Sequence, residues 1–365
     1  CSPNAYHKYV LGPVCHALEK LFAEHFKGYC GGKNWTETES FYNDMDTLGL
    51  TTTLQLDGSG FDRTRSQEIK EIIDHRIYRF VTDRIQHVTK QQWEYYSLVD
   101  ERRIEVLVKG KEVVRMGFVK VKGTTFSGSC DTTLMNTITM ACLNRFVLEF
   151  ELRNRYEFGL LAKGDDVVVF LPNGVDQSTV EKAYYKYFAT NKFMISLAKD
   201  HTKQIDPYYG LGFVAKYLKF GSIEDIDFCS TETYYCYTQL SYKITRQLGR
   251  FYSLTSWSRN AVNYKPEMLK VYKHALYLSN MKWMSGLPIF EAYNNLLQQD
   301  LTGIVVRVKD GKQRKRIPIS EFNDELFAKV LDKDTRWNND LRVSVKLDPL
   351  EHVRHVQQKY GITLN

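Results

Sequence analysis

Residues 160–170 read LLAKGDDVVVF, two apolar runs separated by Gly164, Asp165 and Asp166. The pattern predicts a buried hairpin whose tip carries two adjacent carboxylates. Upstream, TTTLQLDGSGFDRT is a β-rich run ending at Asp57 and bent by Gly58 and Gly60. Thr64 with Gln67 reads as a capping box, and Ile69, Ile72, Ile73, Ile77 and Phe80 keep helical period after it. Residues 103–122 predict two strands turning at Lys109 and Gly110. FSGSCDTTLMNTITMACLNRFVLEF is a small-residue loop entering a long helix, with Leu134, Ile138, Cys142 and Leu143 as its apolar stripe. Ser178 and Glu181 form a second capping box before a Tyr-rich helix to about residue 190, and VAKYLKF and DFCSTETYY follow as strands. The opening SPNAYHKYVLGP reads as extended, ahead of a helical stripe of Val14, Leu18, Leu21, Phe22 and Phe26. From about residue 230 the chain turns helical and rich in Tyr, Trp, Lys and Arg, interrupted by a hairpin, IVVRVKDGKQRKRIPI, turning at Asp310 and Gly311.

Composition adds bounds rather than a function. With 365 residues, 43% hydrophobic and 25% charged, the chain can bury a core across two or three subdomains, and a largely disordered protein is excluded. A net charge of +7 suits a basic groove better than a surface coated in positive charge. The seven cysteines are odd in number and lack a CxxC pair, which reads as free thiols in a reducing compartment. Cys15, His16, His25 and Cys30 match no zinc-ligand spacing. No apolar run approaches the roughly 18 residues that span a membrane, and no secretory signal is present. The first residue is Cys rather than Met, so the chain is expected to be a piece of something longer.

Candidate chemistry begins at the acidic tip. A bare GDD is weak, because a solvated turn would explain it. Its apolar flanks sharpen the reading: two carboxylates stay ionised side by side on a buried hairpin if cations neutralise them, and Mg²⁺ takes oxygen ligands at short range. Two-metal phosphoryl chemistry draws acids from separate segments, and Asp57 fits as the second source. Asp62 is a third acid, which a helix N-terminus would equally favour. Ser127, Gly128 and Ser129 let backbone approach a ligand closely, and Thr132 and Asn136, four apart, share one helix face.

DGSGFD, SGSCDTTLMN and KGDD, in this order, resemble palm motifs A, B and C of positive-strand RNA virus RNA-dependent RNA polymerases. The spacing is family-like, 70 residues from Asp57 to Ser127 and 38 from Ser127 to Asp165. FCSTETYY is similar to motif E, and SPNAYHKYVLGPVCHALE resembles the segment before motif A, in broadly tombusvirus-like and nodavirus-like enzymes. The resemblance covers about residues 1–235. It implies an α+β right-hand polymerase: a palm with an antiparallel sheet, partial fingers and a mostly helical thumb. The expected domains are 1–50 partial fingers and lead-in, 51–70 palm with motif A, 71–115 a fingers insertion, 116–228 palm with motifs B, C and D, and 229–365 motif E and thumb.

Carried over residue by residue, the resemblance implies that Asp57 and Asp165, with Asp166 assisting, hold Mg²⁺ or Mn²⁺ for nucleotidyl transfer to an RNA 3′-hydroxyl. Asp62 and Asn136 would hydrogen-bond the ribose of the incoming NTP, Thr132 or Thr133 would help place Asp62, and Ser127 with Gly128 would touch template or nucleotide. A motif D lysine would protonate the leaving pyrophosphate; Lys199 is the choice, with Lys192 and Lys203 as rivals. Tyr234, Tyr235 and Tyr237 would pack at the palm–thumb junction or meet the primer, and KDGKQRKR would meet duplex phosphates or lie solvated on the surface. The family's basic motif F, expected before SPNAYHKY, would then lie upstream of residue 1. Implied partners are RNA template and product, NTPs and other viral replication proteins. The implied location is the host cytoplasm, in a membrane-associated replication complex reached through parts outside this chain.

A reverse transcriptase usually places an aromatic residue two positions before the first acidic-turn Asp, where Lys163 stands here. A two-metal nuclease has no use for a ribose-reading Asn136 face. A catalytically inactive, RNA-binding polymerase-like fragment is the alternative outside the enzymes.

Overall fold

In the computed structural model the described residues are 5–31, 35–58, 60–84, 101–109, 113–122, 125, 129–190, 211–237, 239–256, 265–284, 287–302, 305–310 and 313–318. The chain divides into two compact units, Cys1–Cys229 and Ser230–Asn365.

In the first unit, helices α1 (Ala5–His25) and α2 (Trp35–Thr47) precede strand β1 (Thr52–Gly58). Short helices α3 (Phe61–Thr64), α4 (Gln67–Ile72) and α5 (Asp74–Thr82) lead to the hairpin β2 (Glu101–Lys109) and β3 (Val113–Lys122). Helix α6 (Thr132–Arg145) runs into a π-helical turn at Phe146–Glu151. Then come β4 (Gly159–Lys163), β5 (Asp166–Leu171), α7 (Gln177–Tyr187), β6 (Phe188–Thr190) and β7 (Phe213–Gly221). Five strands form one sheet in the order β4-β5-β1-β7-β6. Its pairs are antiparallel except β6 with β7.

Strands β4 and β5 read as near-continuous apolar runs because both of their faces are covered. On one face Leu54, Leu56, Leu160, Ala162, Val167 and Val169 pack with Met140, Leu143 and Val147 of α6 and its extension, and with Val180 and Tyr184 of α7. On the other, the buried polar residues of β1 meet the 222–227 segment. Thr53 Oγ1 donates to the Ser222 carbonyl (3.0 Å), Gln55 Nε2 donates to the Asp225 carbonyl (2.9 Å), and Gln55 Oε1 accepts from the Asp227 amide (2.7 Å). These bonds satisfy polar groups that would otherwise be costly to bury.

Local expectations are overturned at three helix starts. The stretch expected to be extended is helical from Ala5, with Pro13 inside α1. Burial of Leu11, Cys15 and Leu18 against Leu134, Met135 and Ile138 outweighs the roughly 3 kcal/mol that an interior proline costs. Thr64 closes α3 rather than opening the next helix; Ser66 caps α4, its Oγ accepting from the Ile69 amide at 3.3 Å. Asp176, not Ser178, caps α7, accepting from the Thr179 amide at 3.3 Å. A carboxylate is the better acceptor at a positive helix end, so it displaces the serine two residues on. The segment after α1 is anchored to β4: the Ala162 amide donates to Gly28 (2.9 Å) and the Cys30 amide donates to Ala162 (3.1 Å). A Cβ at Gly28 would stand 1.7 Å from the Leu160 carbonyl oxygen, so only glycine permits this approach.

In the second unit, β8 (Thr231–Cys236) and β9 (Ser241–Arg246) form an antiparallel pair. Helices α8 (Leu248–Ser256), α9 (Pro266–Met284) and α10 (Pro288–Asn295) follow, then the hairpin β10 (Val305–Asp310) and β11 (Gln313–Pro318). Tyr234, Cys236, Leu248, Phe251, Leu287 and Phe290 form its core. Buried Glu232 accepts from the Tyr234 hydroxyl (2.6 Å) and from the Leu248 amide (3.1 Å), tying β8 to the start of α8. Tyr237 is exposed and stands edge-on to Tyr235. Among the described residues no helix is long and apolar enough to cross a membrane.

Candidate active site

Strand register brings the acids together. β1 pairs with β5 so that Asp57 lies directly opposite Asp166, and β4 pairs with β5 so that Lys163 flanks the other side. Between Lys163 and Asp166 the two-residue turn is Gly164-Asp165, with Gly164 at φ +65°. Positive φ at the first turn residue is what a tight hairpin of matching twist requires, so glycine stands there. The turn is tied down from α6: Thr137 Oγ1 accepts the Gly164 amide at 2.7 Å and donates to the Thr133 carbonyl at 2.6 Å. On its other edge β1 meets β7, where the register slips between Asp57 and Gly58. That bulge leaves Lys216 unopposed, and its Nζ bonds Asp57 Oδ2 at 2.7 Å.

The electrostatics follow from this crowding. Burial pushes Asp165 above the usual carboxylate range, and the negative charges of Asp57 and Asp62 push it further. Asp166 is pushed up to about 6, first by burial and then by Asp165 and Asp57. Lys216 is raised by its bond to Asp57. Among the described residues no three acidic, His or Cys side chains converge as a ready-made metal cage. Asp57 is instead turned to Lys216. The donor chemistry nonetheless suits a hard divalent cation: the groups are oxygen ligands, and Asp165 and Asp166 are raised first by burial and then by neighbouring carboxylates, a balance that a bound cation would reverse.

Beside this cluster Asp62, on α3, accepts from Asn136 Nδ2 at 2.7 Å. The Asn136 carbonyl oxygen accepts from Arg65 Nη1 at 3.2 Å, and the same nitrogen reaches Thr125 Oγ1 at 3.3 Å. Arg65 Nη2 is ion-paired with Asp74. Arg65, Asp74 and Asn136 are all buried. Asp74 is nonetheless raised to about 6, because burial outweighs the favourable charges of Arg65 and Lys70.

Of the residues singled out in the sequence, Asp57, Asp165 and Asp166 meet at one sheet end and Asp62 with Asn136 beside them. Thr132 opens α6 and Thr133 is exposed one residue on. Ser127, Gly128 and Lys199 lie outside the described residues. The Thr/Asn face of α6 is not solvated: Asn136, Thr137 and Asn144 are buried, whereas Cys142, expected on the apolar stripe, is exposed. The helix is buried on most sides, so a single-stripe reading cannot order its faces. Sequence reasoning missed Thr137, Arg65 and Lys216. Thr137 carried a signal as the second threonine of an i, i+4 pair with Thr133; Lys216 carried none, since a bulge places it.

The chain is thus, in class, a mixed helix and antiparallel-sheet domain with a carboxylate cluster built from a strand end and a neighbouring hairpin turn. The family model for viral RNA-dependent RNA polymerase matches residues 5–298, and the chain belongs to that family. No curated protein matches the chain. The family makes the protein an RNA-directed nucleotidyltransferase that binds RNA and NTPs, and its members use divalent metals. Membership disfavours the reverse transcriptase and inactive-fragment readings.

Proposed function

We propose that this protein replicates a viral RNA genome by template-directed RNA synthesis, transferring nucleotides from NTPs to an RNA 3′-hydroxyl by a two-metal mechanism. The observation that carries this is the pairing of Asp57 with Asp166, one residue from the Asp165 turn. Asp57 and Asp165 would hold the pair of Mg²⁺ or Mn²⁺ ions, with Asp166 assisting; once bound, such ions activate the attacking hydroxyl and neutralise the triphosphate. Asp62 and Asn136 bind the ribose, where an acceptor and a donor can both engage a 2′-hydroxyl. Thr132 or Thr133 helps place Asp62, Ser127 and Gly128 touch template or nucleotide, and Lys199 protonates the departing pyrophosphate. The architecture proposed is a right-hand polymerase with the five domain segments given above, of a broadly tombusvirus-like or nodavirus-like kind. It would act with other viral replication proteins in the host cytoplasm, in a membrane-associated complex.

The experiment is primer extension on an RNA template with Mg²⁺ or Mn²⁺, comparing the native chain with Asp165→Ala. Synthesis by the native chain and its loss in the variant are expected. Extension that survives the substitution would remove the metal-ligand assignment.

A further inference from the structure

The carboxamide of Asn136 has two chemically different ends, and its surroundings leave only one way round. Asp62 as an anion only accepts hydrogen bonds, and a guanidinium only donates. Asn136 Nδ2 faces Asp62 Oδ1 at 2.7 Å, and Asn136 Oδ1 faces Arg65 Nη1 at 3.2 Å. A flipped amide would set its NH₂ against the guanidinium and its oxygen against the carboxylate, losing both bonds. Arg65 is itself immobilised. It is 1% exposed, its Nη2 is ion-paired with buried Asp74, and its Nη1 also reaches Thr125. A buried ion pair is costly to assemble, and well-packed apolar replacements are often as stable, which leaves Arg65 and Asp74 open to a role beyond holding the fold.

We propose that Arg65, anchored by Asp74, is a positioning residue that sets the Asn136–Asp62 pair and thereby the preference for ribonucleotides over 2′-deoxyribonucleotides. The proposal rests on the reading of Asp62 and Asn136 as ribose-binding groups. Arg65 touches neither substrate nor metal; it acts through Asn136. Lysine in its place keeps a charge for Asp74 but lacks the planar fork that reaches Asp74, Thr125 and Asn136 together.

The test compares Arg65→Lys, Asn136→Ala and the double variant in the full chain. Dissociation constants for ATP and 2′-dATP are measured by titration calorimetry, and kcat and KM for both by primer extension. In Arg65→Lys the ATP preference is expected to fall about tenfold, the worth of one lost hydrogen bond, through KM and Kd rather than through kcat for ATP. Asn136→Ala should lose the preference as well, and Arg65→Lys should add nothing in that background. A purely structural Arg65 would lower melting temperature and kcat for both nucleotides alike and leave the ratio unchanged, which overturns the proposal; so would a full additional loss in the double variant. If Asn136→Ala keeps its preference, the ribose reading fails first, which separates the two failures. Should Arg65→Lys melt below the assay temperature, Asp74→Asn, which swaps the charged anchor of Arg65 for a weaker neutral acceptor and so loosens its hold on Asn136, is read the same way: a lowered ratio supports the proposal and an unchanged one overturns it.

Discussion

Asp57 and Asp166 are cross-strand neighbours, one on each of two adjacent antiparallel strands inside a five-stranded sheet. Like charges directly opposite one another destabilise a sheet, and Lys216 offsets this only on the Asp57 side, so the arrangement costs stability until a metal ion binds. Asp166→Asn keeps the shape and removes one charge. It should raise the metal-free melting temperature by roughly 2 °C while lowering RNA synthesis by about a hundredfold. The pH dependence has a definite sign. Asp166 titrates at about 6 in the folded chain against 3.8 ordinarily, so between those values the folded state binds the extra proton. Its contribution to stability is therefore fully present below about 4 and is lost as pH rises to about 6. Thermal melts across that range should fall less steeply in Asp166→Asn than in the native protein; equal slopes would refute the assignment.

Thr137 joins α6 to the acidic turn through the Gly164 amide. Valine is nearly isosteric but takes the acceptor away from a half-buried N–H. Thr137→Val should cost about 1–3 kcal/mol in denaturant unfolding and reduce synthesis more than its stability loss explains, because Asp165 loses its support. Thr137→Ser, which keeps the hydroxyl, should restore most of both. A valine variant as active as the native chain would dismiss the tether.

Gly164 has φ +65° and open space where a Cβ would project. Substitution there is penalised by backbone conformation alone, since nothing would clash. Gly164→Ala should destabilise by about 1–2 kcal/mol, and Gly164→Asn by clearly less, because asparagine tolerates the left-handed region. Equal losses in unfolding experiments would point to a steric cause.

Lys216 and a divalent ion compete for Asp57. The pair is largely solvent-exposed on the lysine side, so Lys216→Ala should leave the melting temperature close to that of the native protein. Mn²⁺ should bind severalfold more tightly to this variant, as judged by the concentration that half-saturates a thermal shift. An unchanged half-saturation point would show that Lys216 yields Asp57 at no cost.

Much of this protein is written in short windows of its chain. The hairpin around Gly164 is legible because apolar runs flank a glycine that the turn's backbone needs, and the β10–β11 hairpin is legible to within one residue, since Asp310, expected in the turn, still pairs with Gln313 as the last residue of β10. Helix starts were less legible. Proline at 13 argued locally against a helix that burial of Leu11, Cys15 and Leu18 sustains, and the choice of Asp176 over Ser178 as a cap turned on one residue's geometry.

By itself, the sequence determined the order of the acidic segments, the strand–turn–strand that presents Asp165 and the family the chain belongs to. Tertiary structure alone decided that Asp57 faces Asp166, that a bulge delivers Lys216 to Asp57, and that Arg65 lies buried with its charge answered by Asp74 and its second arm on Asn136. The division is physical. Turn and strand preferences are set by a residue and its immediate neighbours. Register, bulges and buried charge pairs are set by which long-range arrangement buries the most apolar surface with its polar groups satisfied, a sum over the whole unit that no single window contains.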